Sequence, residues 1–268
     1  MPLIWQKATT QRFGFGALMY AGETGELRRR LPFALRDAEE RGNLYSYADL
    51  SARLFMYWLA ADDAEGHRRA LADVFARWTN QGYHIQHFNA LRSLLHGDLY
   101  EGAYDRAAAR LAEQTPALEG SMLSRVQLVR GETLQLRAQI PLARLAAGEV
   151  AASERKGTLK AIDKELAALR GEKEPWCVAL AALLGAGLIH QRGDAEAGRA
   201  ALEASIRALR GAEMALHVAA AERTLGLVEG GEAGAARVRG ADAWMRAQAI
   251  ERPDRVAQAL VSGFLPPL

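Results

Sequence analysis

Residues 175–211 read PWCVALAALLGAGLIHQRGDAEAGRAALEASIRALRG. An apolar run from Trp176 to Ile189 stops at His190, Gln191 and Arg192. Gly193-Asp194 then makes a turn, and a second run carrying Leu202, Ala204, Ile206 and Leu209 stops at Gly211-Ala212. Ala179, Leu183, Ala186 and Ile189 recur every three or four residues, the spacing of one helix face. Glycine suits the left-handed position that closes a helix, and an acid suits the first turn of the next. The stretch is therefore a helix, a tight turn and a second helix.

Outward from this unit the same punctuation repeats. Turns of the first kind fall at Gly25-Glu26, Asp62-Asp63, Gly97-Asp98, Gly148-Glu149, Gly193-Asp194 and Gly231-Glu232, stepping by 37, 35, 51, 45 and 38 residues. Turns of the second kind fall at Gly42-Asn43, Gly82-Tyr83, Gly120-Ser121, Gly171-Glu172, Gly211-Ala212 and Arg252-Pro253, stepping by 40, 38, 51, 40 and 41. Two interleaved series with nearly one period mark a repeated helix pair, because periods of roughly 20–50 residues belong to solenoids. A lone pair cannot cover its apolar stripe, and stacking buries the stripes in one continuous core. The expected fold is all-α: an α-solenoid of about six antiparallel helix pairs over 1–251, a tetratricopeptide-like superhelix, with a capping helix and free tail over 252–268. The fourth unit is longer, and its first helix is expected to break near Pro141.

Composition agrees. Ala occurs 53 times and Leu 37 times in 268 residues, against 10 Val and 7 Ile, which favours helix over strand. Formal net charge is +2, so nucleic acid is not an expected partner. The single cysteine, Cys177, excludes a disulfide scaffold and fits a reducing compartment. The apolar run before His190 is shorter than the roughly 20 residues of a bilayer span, and residues 1–20 lack a continuous apolar stretch. A cytoplasmic protein without membrane association is expected.

The segments LYSYADLSARLFMYWLAADD (44–63), WTNQGYHIQHFNALRSLLHGDLYEG (78–102), SMLSRVQLVRGETLQLRA (121–138) and GADAWMRAQAIERPDRVAQALVSGFLPP (240–267) resemble the C-terminal regions of large bacterial Hanks-type serine/threonine kinases. Those regions are tetratricopeptide-like arrays that follow a kinase domain. The resemblance runs from about Phe15 to Phe264 and implies a regulatory, partner-binding array. The tetratricopeptide consensus is poorly kept, and the chain carries no glycine-rich nucleotide loop, no His-Arg-Asp and no Asp-Phe-Gly. An enzyme is not expected, nor is a cofactor.

The residues that remain bear on binding. Counting back from Gly97 as the glycine between paired helices places His84, His87, Leu91 and Leu94 on the inner groove. The same count from Gly25 gives Arg12, Phe15 and Met19, and from Asp62 gives Asp49, Ala52 and Met56. Arg12, Asp49, His84 and His87 are therefore the candidate contacts for a protein or peptide, while Phe15, Met19 and Met56 also fit a core. His84 and His87 lie three apart, but His96 is about half a turn out of line, so no metal site is expected. Trp5, Trp58, Trp78, Trp176 and Trp244 fit core positions, and Cys177 fits a buried inert thiol. Lys156, Lys160 and Lys164 fit a solvated face. Arg28, Arg29 and Arg30 fit pairing with Asp37, Glu39 and Glu40. Two alternatives accompany the peptide-binding array. One is a small-molecule sensor controlling an attached or partner catalytic domain, its anion pocket near Arg125, Arg130, Gln135 and Arg137. The other is self-association through the open array ends.

Overall fold

A computed structural model describes residues 2–79 and 81–264, the side chains of residues 2–5 excepted. Among them are fourteen α-helices and no strand. Six antiparallel pairs follow in order: α1 (Pro2–Ala21) with α2 (Thr24–Glu40); α3 (Leu44–Arg53), extended by the short α4 (Met56–Leu59), with α5 (Ala64–Arg77); α6 (Ile85–Tyr100) with α7 (Tyr104–Gly120); α8 (Gln127–Ala147) with α9 (Ala152–Gly171); α10 (Pro175–Gln191) with α11 (Ala195–Gly211); and α12 (Ala215–Glu229) with α13 (Gly231–Ala247). A 3-10 turn (Met122–Arg125) precedes α8, and α14 (Pro253–Leu260) closes the series. The chain is an all-α solenoid of six helix pairs.

Local chemistry explains the ends. Asn43 caps α3 by accepting from the Ser46 N–H at 3.1 Å, Asp63 caps α5 through Gly66 N–H at 2.7 Å, and Asp194 caps α11 through Ala197 N–H at 2.9 Å. Gly148 stands at φ 74° where α8 ends, a conformation that costs glycine nothing. Two expected turns are not turns. Gly25 lies inside α2, and Gly97 inside α6, where a Cβ would meet His67 Nδ1 at 3.1 Å. Gly97 serves close packing, and the chain reverses after it at Gly102, with φ 71°. Nor does α8 break at Pro141. The helix runs through it, held by Leu136, Ile140, Leu142 and Leu145, each at most 4% exposed. On α11 the buried face holds Leu202, Ser205, Ile206 and Leu209, and Ala204 points to solvent.

The first helices of successive pairs form one row: α1 packs on α3, α3 on α6, α6 on α8, and α8 on α10. The row curls until its ends meet, with α1 against α12. At that seam a Cβ on Gly22 would come within 2.9 Å of Leu216, and Arg28 donates to the Ala249 carbonyl at 2.8 Å. One hydrophobic cluster accordingly runs from Phe15 and Leu27 through Leu95 and Leu183 to Met245 and Phe264.

The C-terminal segment packs on the last pair and reaches beyond it. It crosses the inside of the curl, α14 touching α6, α12 and α13. Gln139 donates to the Ala259 carbonyl at 2.6 Å, Gln258 to the Tyr104 hydroxyl at 2.9 Å, and Gln191 to the Gly263 carbonyl at 2.9 Å. Val261, Ser262 and Phe264 are buried, so the expected free tail is a packed strap up to Phe264. Residues 265–268, including Pro266 and Pro267, lie outside the described residues, as does the Trp5 side chain. Among the described residues no helix is long and apolar enough to cross a membrane.

Candidate functional site

Where the curl closes, it leaves a cavity of about 440 Å³. First helices line it: Met19 and Tyr20 from α1, Arg92 and His96 from α6, Glu132 and Gln135 from α8, Trp176 and Leu180 from α10, Leu216 and His217 from α12. Phe55 and Met56 add the start of α4, and Leu260 adds the strap. The lining residues Ala17, Ala21, Leu128 and Glu213 are exposed, which places the mouth between α1, the start of α8 and the α11–α12 turn.

Its polar side is built around Arg92. This residue sits among Phe88, Leu95 and Leu99 on a buried helix face and is 2% exposed. Its Nη1 donates to the Tyr20 hydroxyl at 2.8 Å and also to Glu132, itself 4% exposed; its Nη2 donates to the Arg53 carbonyl at 2.7 Å. The Tyr20 hydroxyl in turn donates to Glu132. Burial pushes the Tyr20 phenol up to about 12, with Arg92 opposing and Glu132 assisting. Burial also works against the Arg92 charge, yet Glu132 and Tyr20 outweigh it and hold the guanidinium above its ordinary pKa.

Two imidazoles complete the polar side. His96 stacks on Phe55 with ring centres 4.2 Å apart and planes 9° off parallel. Neither His96 nor His217 has a hydrogen-bond partner at Nδ1 among the described residues. Burial drives both pKa values down, His217 to about 4 and His96 well below its ordinary value, with Arg92 and His217 adding to the latter. Both rings are neutral at pH 7.

The residues expected to bind a partner lie elsewhere and form two pairs. Arg12 Nε stands 3.2 Å from Asp49 Oδ2, and Asp49 Oδ1 accepts from Asn89 at 3.1 Å. Burial raises the Asp49 pKa, with Arg12 the first of the cations opposing it. His84 precedes α6 as its N-cap rather than sharing the helix face, and its N–H donates to His87 Nδ1 at 3.0 Å. The pairs are linked through Tyr45, which accepts from Arg12 at 3.0 Å and lies 6.3 Å from Trp78, itself 6.3 Å from His84. None of the four lines the central cavity. His84 instead borders an open edge groove with Tyr45, Trp78, Tyr83 and Met122. The count that placed His84 and His87 took Gly97 as a turn, and the one that placed Arg12 took Gly25, whereas both glycines lie inside helices.

Other expectations divide. Phe15, Met19 and Met56 are core, at most 8% exposed, and the last two also line the cavity. Trp58, Trp78, Trp176 and Trp244 are only partly buried. Of the fourth-unit residues, Gln135 alone reaches the cavity: Arg130 pairs with Glu172, Arg137 with Glu119, and Arg125 offers its carbonyl to Arg130. Arg29 and Arg30 pair with Glu26 rather than with the acids at 37–40. Cys177 is fully buried, and burial raises its thiol to about 12. Lys156, Lys160 and Lys164 are solvent-facing.

Tyr20, Arg92, His96, Glu132 and His217 were missed, although a signal existed: Arg92 lies at helical spacing from the apolar Phe88, Leu95 and Leu99. The class that fold and site define is a curled helical-repeat array with a polar-sided cavity at its closure. Compared with protein-family models, curated protein sequences and solved structures, the chain matches none. The kinase-region resemblance therefore rests on its quoted residues alone.

Proposed function

We propose that this chain is a non-catalytic, regulatory helical-repeat module that takes a small molecule into its central cavity. The observation behind this reading is the occupation of the array's inside by its own segment 253–264, which leaves an enclosed, polar-sided space instead of an open peptide channel. Pockets for small ligands are mostly apolar, with a few placed polar groups, and hold about 300–1,000 Å³. The ligand's effect would reach the rest of the molecule through Leu260, which lines the cavity from the strap. The kinase-region resemblance makes an attached or partner catalytic domain the thing controlled, in the cytoplasm, with no nucleic-acid partner in this reading. A thermal-shift screen of the chain against a metabolite library tests it. A ligand-dependent rise that Ala17→Trp at the mouth removes is the expected result, since ligand at 100 times Kd adds about 2.7 kcal/mol. A library without any such ligand refutes the reading.

A second reading keeps a protein or peptide partner, at the edge groove. There Met122 is 66% exposed beside Tyr45, Trp78, Tyr83 and His84, an apolar and aromatic patch of the kind partners use. Replacing His84 and His87 together would then weaken an identified partner while leaving helicity intact.

A further inference from the structure

Resting on the cavity reading above, we infer that the ligand is an uncharged, flat, largely apolar molecule whose polar group hydrogen-bonds His96 and His217. The argument is one of charge and shape. The full charges deep in the cavity, Arg92 and Glu132, are already paired with each other and with Tyr20. An ion entering the space would give up its hydration and find no free counter-charge, a cost of several kcal/mol that pairing elsewhere cannot return. Among the described residues Glu213 is the one further lining acid, and it stands at the solvent-exposed mouth, too hydrated to serve as a strong partner.

The two imidazoles are what the protein offers instead. Each neutral ring presents one N–H and one lone pair. No hydrogen bond to either ring occurs among the described residues, and His96 is 5% exposed. Nδ1 of each ring is sealed off, so an entering molecule meets these rings at Nε2, where a hydrogen bond made away from bulk water adds to binding. Burial holds both rings in the neutral form that such a ligand needs.

The walls set the rest of the molecule. Phe55 and Trp176 add aromatic surface to the lining, and Met19, Met56 and Met214 add flexible, polarizable side chains that mould to a flat molecule. At about 30 Å³ for each water-sized group, the space admits on the order of 15 heavy atoms.

The experiment titrates the full chain by calorimetry with three probes of one shape: 2-naphthol, 2-naphthoate and 2-naphthylmethylammonium. The uncharged 2-naphthol is expected to bind one-to-one, at least ten-fold tighter than either ion. His217→Phe, which keeps an apolar wall, is expected to weaken it about ten-fold, the worth of one hydrogen bond. Ala17→Trp, at an exposed position, is expected to abolish it without loss of helicity. An ion that binds as tightly as 2-naphthol, with Ala17→Trp abolishing both, overturns the ligand class and leaves the cavity reading standing. Binding that ignores Ala17→Trp, or no binding by any probe, also overturns the inference. The cavity reading falls separately, only if the metabolite screen yields no ligand sensitive to Ala17→Trp.

Discussion

Replacing Glu132 by leucine should destabilise the protein far more than replacing Arg92 and Glu132 together. Arg92 is 2% exposed and Glu132 4% exposed, so neither charge has water to fall back on. In Glu132→Leu the guanidinium keeps only the Tyr20 hydroxyl at 2.8 Å and the Arg53 carbonyl at 2.7 Å, both neutral. Its Nε has no hydrogen-bond partner among the described residues even in the intact protein. Breaking a buried pair from one side costs about 3–5 kcal/mol because it strands the other charge. For a chain of this size each kcal/mol moves Tm by roughly 2–4 °C, so the fall should be roughly 6–20 °C. Arg92→Met with Glu132→Leu removes both charges and refills the volume with apolar groups. Such replacements are often neutral or stabilising, so the double variant should recover most of the loss. Urea denaturation of the parent, both single variants and the double variant gives the coupling directly. A Glu132→Leu protein within about 1 kcal/mol of the parent, or a double variant as weak as the singles, would refute the account of Arg92 as a buried charge held by Glu132.

Three further outcomes follow from the same structure. His67 is 1% exposed, with Nε2 2.6 Å from Ser93 Oγ, and burial, then Arg68, lowers its pKa to about 4. A depressed histidine binds fewer protons folded than unfolded, so stability is full above pH ~6.5 and falls as pH drops toward ~4, by about 3 kcal/mol for this group; His67→Gln should flatten that slope in urea titrations across the window. Gly187→Ala gains about 1 kcal/mol of helix propensity but drives its methyl into the Ser262 carbonyl oxygen, so the strap should loosen and trypsin should cut after Arg255 faster than in the parent, with unchanged far-UV circular dichroism. Cys177, fully buried with its thiol pushed up to about 12, should resist a disulfide reagent until the chain unfolds, and labelling at the native stage would contradict its burial.

The repeat was legible because its turns are local chemistry. Gly42-Asn43 and Gly193-Asp194 carry their own capping side chains, and a reader needs only neighbouring residues to find them. Gly25 and Gly97 misled because a glycine before an acid has the same local appearance inside a helix. What makes Gly97 helical is His67, thirty residues away in sequence, pressed against it. The positive φ falls instead at Gly102, whose neighbouring acids, Glu101 before it and Asp105 three residues after, do not follow the glycine directly. Pro141 misled for the opposite reason: a local penalty was outweighed by the core side chains flanking it, which stay buried only if α8 continues. The cavity was illegible for a stronger reason. Tyr20, Arg92 and Glu132 are 72 and 112 positions apart from the first, and their meeting depends on how far the stack curls. Curvature accumulates from small rotations at every interface, and no single motif records it.

That curvature also changes what the fold can do. An open array offers its inner row of helices to an extended partner, and the inner face of this row is rich in small residues, as at Ala181, Ala186 and Gly187. Small residues let backbones approach, which tightens the curl until α1 reaches α12. Once the ends meet, the apolar inner face needs a cover that fits within the curl. The strap supplies that cover: its backbone comes so close to α10 that a Cβ at Gly263 would lie 2.8 Å from Gly187. Glycine is required on both sides of this contact, since Gly263 also stands at φ 98°. Closure and strap are thus one design. The strap also contributes Leu260 to the lining of the cavity that remains.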